Sequence, residues 1–106
     1  MDDRLMHRDA FWIGGEWTAP AGGERFDVIS PSTEAPVGSV PVATAVDIHR
    51  AVAAARTAFD EGPWPRMTPD ERADVLVRAA ELLAERVPDI AGITVDEMGC
   101  AISQAP

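Results

Sequence analysis

The sequence predicts an α/β fold in which short strands, between about residues 11 and 42, precede two or three amphipathic helices. In the first third of the chain, β-prone residues are separated by glycine and proline turn signals. From Thr44 onwards, apolar residues recur at the three- and four-residue spacing of a helix face. The strands are few and short, so they cannot cover all the helix faces, and we expect the fold to be incomplete as a domain.

The first strands are predicted to form a hairpin. Two β-prone triplets, residues 11–13 and 16–18, flank Gly14 and Gly15. A Gly-Gly pair can adopt the positive φ angles of a two-residue hairpin turn. A glycine-rich phosphate loop is the alternative for such pairs, but neither this pair nor the pair at 22–23 has that spacing or leads directly into a helix.

Two further extended runs follow. Residues 25–29 form a β-prone run that Ser30 and Pro31 end. The run at 35–42 is weaker, because Pro36 and Pro41 restrict it to an edge position.

The first helix is predicted over about residues 45–61. Thr44 can cap its N-terminus, and the pair at 62–63, Gly-Pro, ends it. Its apolar face carries Ile48, Val52, Ala55 and Phe59.

The second helix has the strongest local signal in the sequence. Thr68 is a capping residue, Pro69 occupies the first helical position, and Glu71 completes a capping box. We predict a helix over about 69–86 with an apolar stripe of Leu76, Ala80, Leu83 and Val87. Since proline interrupts a continuing helix, a third and shorter helix is predicted over about 88–98, with Gly99 beyond its end.

Composition excludes several classes of partner. Nine basic and eighteen acidic residues give a net charge of −9, which opposes binding to nucleic acid or anionic lipid. The chain contains no apolar run near the roughly 20 residues that span a bilayer. The first ten residues also lack an apolar run of secretory length, so a cytoplasmic location is expected. The single cysteine cannot form an internal disulfide, which agrees with a reducing compartment.

Cys100 is the candidate for a catalytic nucleophile. It follows Gly99 at a predicted helix C-terminus, where the helix dipole and the carboxylates of Asp96 and Glu97 disfavour a thiolate. Long-range folding could still bring His49 to it as a base, which leaves a nucleophilic role open. The two histidines, His7 and His49, have no paired ligands nearby and are interpreted as surface residues.

Five motifs follow one another over nearly all of the chain. In order they are FWIGGEW at 11–17, FDVISPST at 26–33, AVAAAR at 51–56 with Phe59, MTPDER at 67–72 preceded by Trp64, and DEMG at 96–99. Together they resemble the N-terminal portion of the NAD(P)-dependent aldehyde dehydrogenase family.

The resemblance implies a fold and an activity. The strands and helices are similar to the start of the Rossmann-like nucleotide-binding domain of these oxidoreductases, whose later parallel strands would cover the helix faces. The complete enzyme would oxidise an aldehyde to a carboxylate with NAD or NADP as hydride acceptor. The family's catalytic and cofactor-binding residues match nothing in residues 1–106, so no catalytic or cofactor-binding residue is assigned, and the 106-residue chain alone is expected to be inactive.

The resemblance also implies one metal site. Some members bind a monovalent cation through main-chain oxygens that match Val28 and Ile29 and through an acidic residue that matches Glu97. An ordinary strand and a solvated glutamate are the alternative. The chain departs from the family pattern at Cys100, where a lysine is common, and at Ser30, where an asparagine is usual.

Three interpretations of the whole chain stay open at this point. The first is an N-terminal fragment of an aldehyde dehydrogenase, which would associate with the rest of the enzyme or form a homo-oligomer and meet its aldehyde substrate only there. The second is a non-catalytic truncated product or binding module that uses exposed helix faces. The third is an unrelated acidic α+β domain.

Overall fold

The computed structural model describes residues 8–105, and it begins with the predicted hairpin. Strand β1, Phe11–Ile13, pairs antiparallel with β2, Glu16–Thr18. Gly14 and Gly15 have φ angles of 63° and 87°, so both occupy the left-handed region that a two-residue hairpin turn requires. The hairpin prediction is therefore confirmed, and the Gly-Gly pair is a turn.

A second, separate hairpin follows. Strand β3, Arg25–Ile29, pairs antiparallel with β4, Pro36–Pro41, with a register irregularity between Val28 and Ile29. The connecting loop is closed by two backbone hydrogen bonds: Ser30 N donates to Ala35 O at 3.0 Å, and Glu34 N donates to Ser30 O at 2.8 Å. Strand β4 pairs only with β3 in the described part of the chain, as expected for a strand with proline at both ends.

Arg25 ties the residues before β1 to this second sheet. Its guanidinium donates to Ser39 Oγ at 2.7 Å, to the Asp9 carboxylate at 2.8 Å and to the carbonyl of Arg8 at 3.0 Å. The planar fork of an arginine allows several such bonds at once. The residues that precede β1 therefore lie alongside β4.

Three helices make up the rest of the chain. They are α1, Ala45–Glu61, α2, Pro69–Ala84, and α3, Val87–Met98, with short 3₁₀ turns at Trp64–Arg66 and Ile102–Gln104. The predicted bounds of α1 are confirmed. None of the helices between residues 8 and 105 has the length and apolar content that a bilayer crossing requires.

The break between α2 and α3 lies slightly earlier than predicted. Helix α2 ends at Ala84, two residues before the expected end, and Arg86 N closes the last turn by donating to Leu83 O at 2.9 Å. Arg86 has φ −107° and ψ 1°, outside the helical region, so α3 starts at Val87. Pro88 is tolerated there because an amide in the first turn has no intrahelical acceptor.

The predicted capping box at the start of α2 is confirmed. Glu71 N donates to Thr68 Oγ1 at 3.2 Å, and Thr68 N donates to the Glu71 carboxylate at 2.7 Å. Two amides that the helix leaves unpaired are thus satisfied.

The described residues form an open structure with almost no core. Ala91 and Pro41 are the only apolar side chains of this region that are buried, and large apolar side chains such as Val52, Phe59 and Leu76 are about three-fifths exposed. The radius of gyration is 17.0 Å, whereas a compact domain of this length has about 13 Å. The expectation that the helix faces lie uncovered is confirmed.

Candidate functional site

The candidate site is the junction at which the β3–β4 loop meets the C-terminal end of α3. Gly99 ends the helix with φ 69°, and its amide donates to Val95 O at 2.9 Å. A Cβ atom at Gly99 would lie 2.7 Å from Pro31 Cγ and 3.2 Å from Ser32 Oγ. Glycine therefore has two functions here, because it permits the left-handed backbone and the close approach of the loop.

The three residues assigned to a cation site belong to the two elements that meet at this junction. Val28 and Ile29 end strand β3, and Glu97 lies in the last turn of α3 with an exposed side chain. Ile29 lies opposite Pro36 in the ladder. Since proline has no N–H, Pro36 cannot donate a hydrogen bond to the carbonyl of Ile29.

The electrostatics of the junction favour a positive ion. The C-terminal end of a helix carries partial negative charge. Asp96 and Glu97 add two carboxyl groups, and the last turn of α3 contains no basic residue. Main-chain carbonyls and a carboxylate are the oxygen ligands that hard cations take.

Cys100 lies at the same junction, but its surroundings do not suit a nucleophile. The thiol is half-buried and donates to the carbonyl of Thr94, with 3.9 Å between Sγ and the oxygen. A carbonyl oxygen accepts a hydrogen bond and cannot take up the thiol proton as a base would. His49, the base considered from the sequence, has an exposed side chain on α1, and His7 lies outside the described residues.

Side chains alone do not form a metal centre in the described region. Between residues 8 and 105, no three His, Cys, Asp or Glu side chains gather closely enough to hold an ion. A cation site at the α3 junction would therefore depend on main-chain oxygens.

Sequence reasoning missed the most buried polar side chain, Asp47. Only 2% of it is exposed. One carboxylate oxygen accepts from Thr44 N at 2.9 Å and from Thr44 Oγ1 at 2.8 Å, and the other accepts from Ala21 N at 2.9 Å. Asp47 therefore caps α1 and also ties down the loop between β2 and β3.

The hydrogen bonds that Asp47 accepts stabilise its ionised form. The backbone amide of Thr44 is the main cause of a lowered pKa for Asp47, while burial acts in the opposite direction. The Ala21 amide, the Thr44 hydroxyl and Arg50, at 3.8 Å, lower this pKa further. The spacing Thr44-x-x-Asp47 was the available signal, since it is a capping box with aspartate in place of glutamate.

The N-terminus of α1 does not fit a dinucleotide phosphate. The Asp47 carboxylate already occupies the positive end of the helix, where a phosphate would otherwise bind. Gly22 also packs against this end, so that a Cβ there would lie 2.8 Å from Thr44 Cγ2. Gly22 therefore permits close packing between the loop and the helix, whereas a Cβ at Gly23 would meet no such neighbour within 4 Å.

An open groove of about 680 Å³ runs between the first hairpin and the alanine-rich side of α1. Gly14 approaches this side closely, since a Cβ there would lie 3.7 Å from Ala54 Cβ. The T-shaped pair of Trp12 and Trp17, with centroids 5.1 Å apart, lies on the same hairpin. The groove is lined by Trp12, Ile13, two glycines, four alanines and Thr57, and this lining contains no pair of groups that could perform acid, base or nucleophilic chemistry.

The open helix faces and the junction define part of a larger α/β domain. A profile of the aldehyde dehydrogenase family matches residues 17–106, and the chain belongs to that family. The alternative of an unrelated acidic domain is therefore wrong. The structural neighbours are aldehyde dehydrogenases, and the two hairpins and three helices match the N-terminal region of their Rossmann-like NAD-binding domain.

Individual relatives cover most of this chain. It is 40% identical over 93 residues to aldehyde dehydrogenase family 2 member B4, mitochondrial, of Arabidopsis thaliana, covering 88% of this chain and 17% of that protein. The Escherichia coli NADP/NAD-dependent aldehyde dehydrogenase PuuC is 38% identical over 87 residues, covering 82% of this chain and 18% of that protein.

A solved structure gives the same result. The Mycobacterium tuberculosis aldehyde dehydrogenase complexed with NAD⁺ matches with a TM-score of 0.88 and 43% identity, over 92% of this chain and 20% of that one. The chain thus spans about a fifth of the length of the relatives it matches.

Proposed function

We propose that this chain forms the N-terminal segment of an NAD(P)-dependent aldehyde dehydrogenase, which in its complete form oxidises an aldehyde to a carboxylate. The observation that supports this most is the match to an NAD⁺-complexed enzyme at a TM-score of 0.88 over 92% of the chain. In that reaction NAD or NADP accepts the hydride. The segment contributes a structural frame, because the described residues contain no group suited to the chemistry.

On this proposal the 106-residue chain has no dehydrogenase activity by itself. The Asp47 carboxylate occupies the N-terminus of α1, and the Cys100 thiol donates a hydrogen bond to the backbone carbonyl of Thr94. The cofactor and the aldehyde would bind to residues that this segment does not supply. The cytoplasmic location expected from the sequence stays a prediction.

A graft tests the proposal directly. Residues 17–106 would replace the matching segment of the Mycobacterium tuberculosis enzyme, and NADH formation would be followed at 340 nm, the usual wavelength for the reduced cofactor, with a panel of aliphatic and aromatic aldehydes. We expect the graft to retain activity and the 106-residue chain to have none. A folded graft that shows no activity with any aldehyde would contradict the proposal.

Cys100→Ser provides the matched control. We expect this change to leave the activity of the graft unchanged, because the nucleophile lies elsewhere. The opposite result would be that the 106-residue chain forms NADH with an aldehyde and that Cys100→Ser abolishes this activity. Cys100 would then be the nucleophile, and the proposal would be overturned.

We also propose that the α3 junction binds a monovalent cation through the carbonyls of Val28 and Ile29 and the carboxylate of Glu97. The contact of Gly99 with Pro31 and the missing donor at Pro36 support this ligand set. The negative helix end and the lack of a basic residue in the last turn of α3 support the charge of the ion. Further ligands would come from outside the segment, because such sites need several oxygens.

The melting temperature of the graft tests the cation site. We expect K⁺ or Na⁺ to raise it relative to choline at equal ionic strength, and Glu97→Gln to remove most of that difference. Glu85→Gln, a change of equal charge at the end of α2, should leave the difference intact. An equal response to the cation in both variants would rule out Glu97 as a ligand.

A second candidate function is a non-catalytic binding module, supported by the exposed apolar faces of the helices. Gel filtration of the isolated chain with a dye for apolar surface would test it. We expect a dye-binding species, and a dye-silent compact monomer would count against any exposed docking face.

A further inference from the structure

Strand β4 has an outer edge with which a strand of another chain could pair. In the described part of the chain β4 pairs with β3 alone, and an edge strand of this kind is a template for association. Pro36 and Pro41 blunt its two ends, because proline has no N–H to offer to a new partner. Ser39 lies between them, so the backbone at Ser39 is the part of the edge that needs cover.

The register places the carbonyl of Ser39 on this outer edge. Val42 N donates to Glu24 O at 2.9 Å, so these two residues form a hydrogen-bonded pair. Such pairs alternate with non-hydrogen-bonded pairs along an antiparallel ladder. Asp27 and Ser39, three steps further along the ladder, are therefore a non-hydrogen-bonded pair, and the backbone groups of Ser39 face away from β3.

Residues 8 and 9, here called the strap, cover the outer edge at Ser39. Arg8 N donates to Ser39 O at 3.2 Å, as a residue of a neighbouring strand would. Arg25 Nη2 donates to the same oxygen at 3.2 Å, so both lone pairs of this carbonyl have a donor. The strap thus occupies the position that an incoming strand would need.

Arg25 holds the strap in place from the other strand of the hairpin. It lies on β3 opposite Pro41, and its guanidinium reaches across β4 to donate to Arg8 O at 3.0 Å and to the Asp9 carboxylate at 2.8 Å. Nη2 also donates to Ser39 Oγ at 2.7 Å. The Asp9 side chain is 87% exposed, so its ion pair contributes little, and the bonds to Ser39 and to the Arg8 carbonyl account for most of the attachment.

The strap is also anchored on the first hairpin. The guanidinium of Arg8 lies over the ring of Trp17, with 5.3 Å between Cζ and the ring centroid, which is a cation–π contact. Trp17 packs in turn against Trp12 of β1. Arg8 therefore contacts the second hairpin through its main chain and the first hairpin through its side chain.

We propose that the strap is an edge guard, latched by Arg25, that prevents a second copy of this chain from pairing along β4. Two β4 strands related by a two-fold axis would lie antiparallel, and an uncovered edge permits this arrangement. The net charge of −9 does not by itself prevent such pairing, because β4 contains no charged residue. This inference does not depend on the proposed function.

Hydrogen exchange of the Arg8 amide tests the latch. Arg25→Met keeps the apolar stem but removes the donors, so we expect the protection of this amide to fall at least about tenfold, the size expected when hydrogen bonds from a charged group are lost. Arg25→Lys keeps the charge but cannot form several bonds at once, and should lose nearly as much protection. Arg56→Met is the matched control, because it removes the same charge and an ion pair with Asp60 on α1, and it should leave the Arg8 amide unchanged.

Sedimentation velocity of the 106-residue chain over a range of concentrations tests the guard. Any association through the exposed helix faces is common to all variants. Above that background, we expect Arg25→Met and Arg25→Lys to raise the association constant at least about tenfold and Arg56→Met to leave it unchanged. Adding Val40→Lys to Arg25→Met should return association to the background, because a lysine on an edge strand opposes pairing, while the Arg8 amide stays unprotected.

The latch and the guard can fail separately. Unchanged protection of the Arg8 amide in Arg25→Met would show that Arg25 is not the latch. Lost protection without stronger association would overturn the edge guard, and so would equal association of Arg25→Met and Arg56→Met, which would assign the effect to the lost positive charge. Circular dichroism checks that the helices persist, and Arg25→Lys, which keeps the net charge, decides the case if they do not persist in Arg25→Met.

Discussion

Gly99→Ala should open the junction between α3 and the β3–β4 loop. The substitution adds one methyl group at a position where the backbone is left-handed and the loop is in contact. It therefore combines two energetic costs, the strain of a left-handed backbone and the steric overlap with the loop. A substitution at another glycine that has only the first cost separates the two.

The size of each penalty follows from the geometry. Placing alanine at φ 69° costs about 1–2 kcal/mol. The new Cβ would lie 2.7 Å from Pro31 Cγ, and overpacking of this kind costs about 1–3 kcal/mol. We expect a total of about 2–5 kcal/mol in the free energy of local opening.

Gly15→Ala is the matched control. Gly15 has φ 87°, but beyond its two neighbours in the chain no residue lies within 4 Å of the position of its Cβ, so this variant carries only the backbone penalty. The double variant Gly99→Ala with Pro31→Ala removes the clashing Cγ and should recover about 1–3 kcal/mol of the loss.

Amide hydrogen exchange measures these local free energies. The reporters are the amides of Gly99 and Glu34, which donate at 2.9 Å and 2.8 Å on the two sides of the junction. Gly99→Ala should reduce protection at both, and the double variant should restore protection at Glu34. If Gly99→Ala and Gly15→Ala had equal local costs, or if Pro31→Ala gave no recovery, the contact with Pro31 would not be the cause.

Three further outcomes are expected. Because the pKa of Asp47 is lowered in the folded chain, the stability that this carboxylate contributes should be fully present above the unfolded pKa of about 3.9 and should be lost as the pH falls through the folded pKa. The hydrogen-exchange protection of the Ala21 amide, which donates to Asp47, measures this loss. In the control variant Asp47→Asn the protection should not change over the same pH range. Gly22→Ala should cost about 1–3 kcal/mol at the same amide through its 2.8 Å approach to Thr44 Cγ2, and Thr44→Ser should relieve it. Trp17, 57% exposed, should be quenched by acrylamide in the isolated chain, with Trp17→Phe as control; a protected, blue-shifted signal would contradict the open hairpin.

Local signals were sufficient to predict most of the elements. The capping box at Thr68 and Glu71 is formed by residues close in sequence, so the start of α2 could be predicted without tertiary information. The Gly14-Gly15 turn is local in the same sense. The end of α2 was predicted two residues too late. Proline at 88 indicates that the helix is interrupted, but it does not determine which preceding residue leaves the helical region.

The contacts that define the site could not be predicted from local patterns. The bond from Ala21 to Asp47 joins residues 26 positions apart, and nothing in either segment indicates the other. Gly99 and Pro31, which also lie in contact, are separated by even more residues along the chain. Glycine after a helix predicts a helix end, but which loop it admits depends on how the hairpin and the helix pack.

The exposed apolar side chains of α2, among them Leu76 and Leu83, also have a consequence for biosynthesis. If the segment begins a longer chain, it leaves the ribosome first, and at about 5–20 residues per second the other four-fifths follows over tens of seconds. During that time α2 must stay helical without aggregating. The acidic residues of α2, which are Asp70, Glu71, Asp74 and Glu81, and the net charge of −9 supply the repulsion that keeps such a nascent chain apart from its neighbours on a polysome.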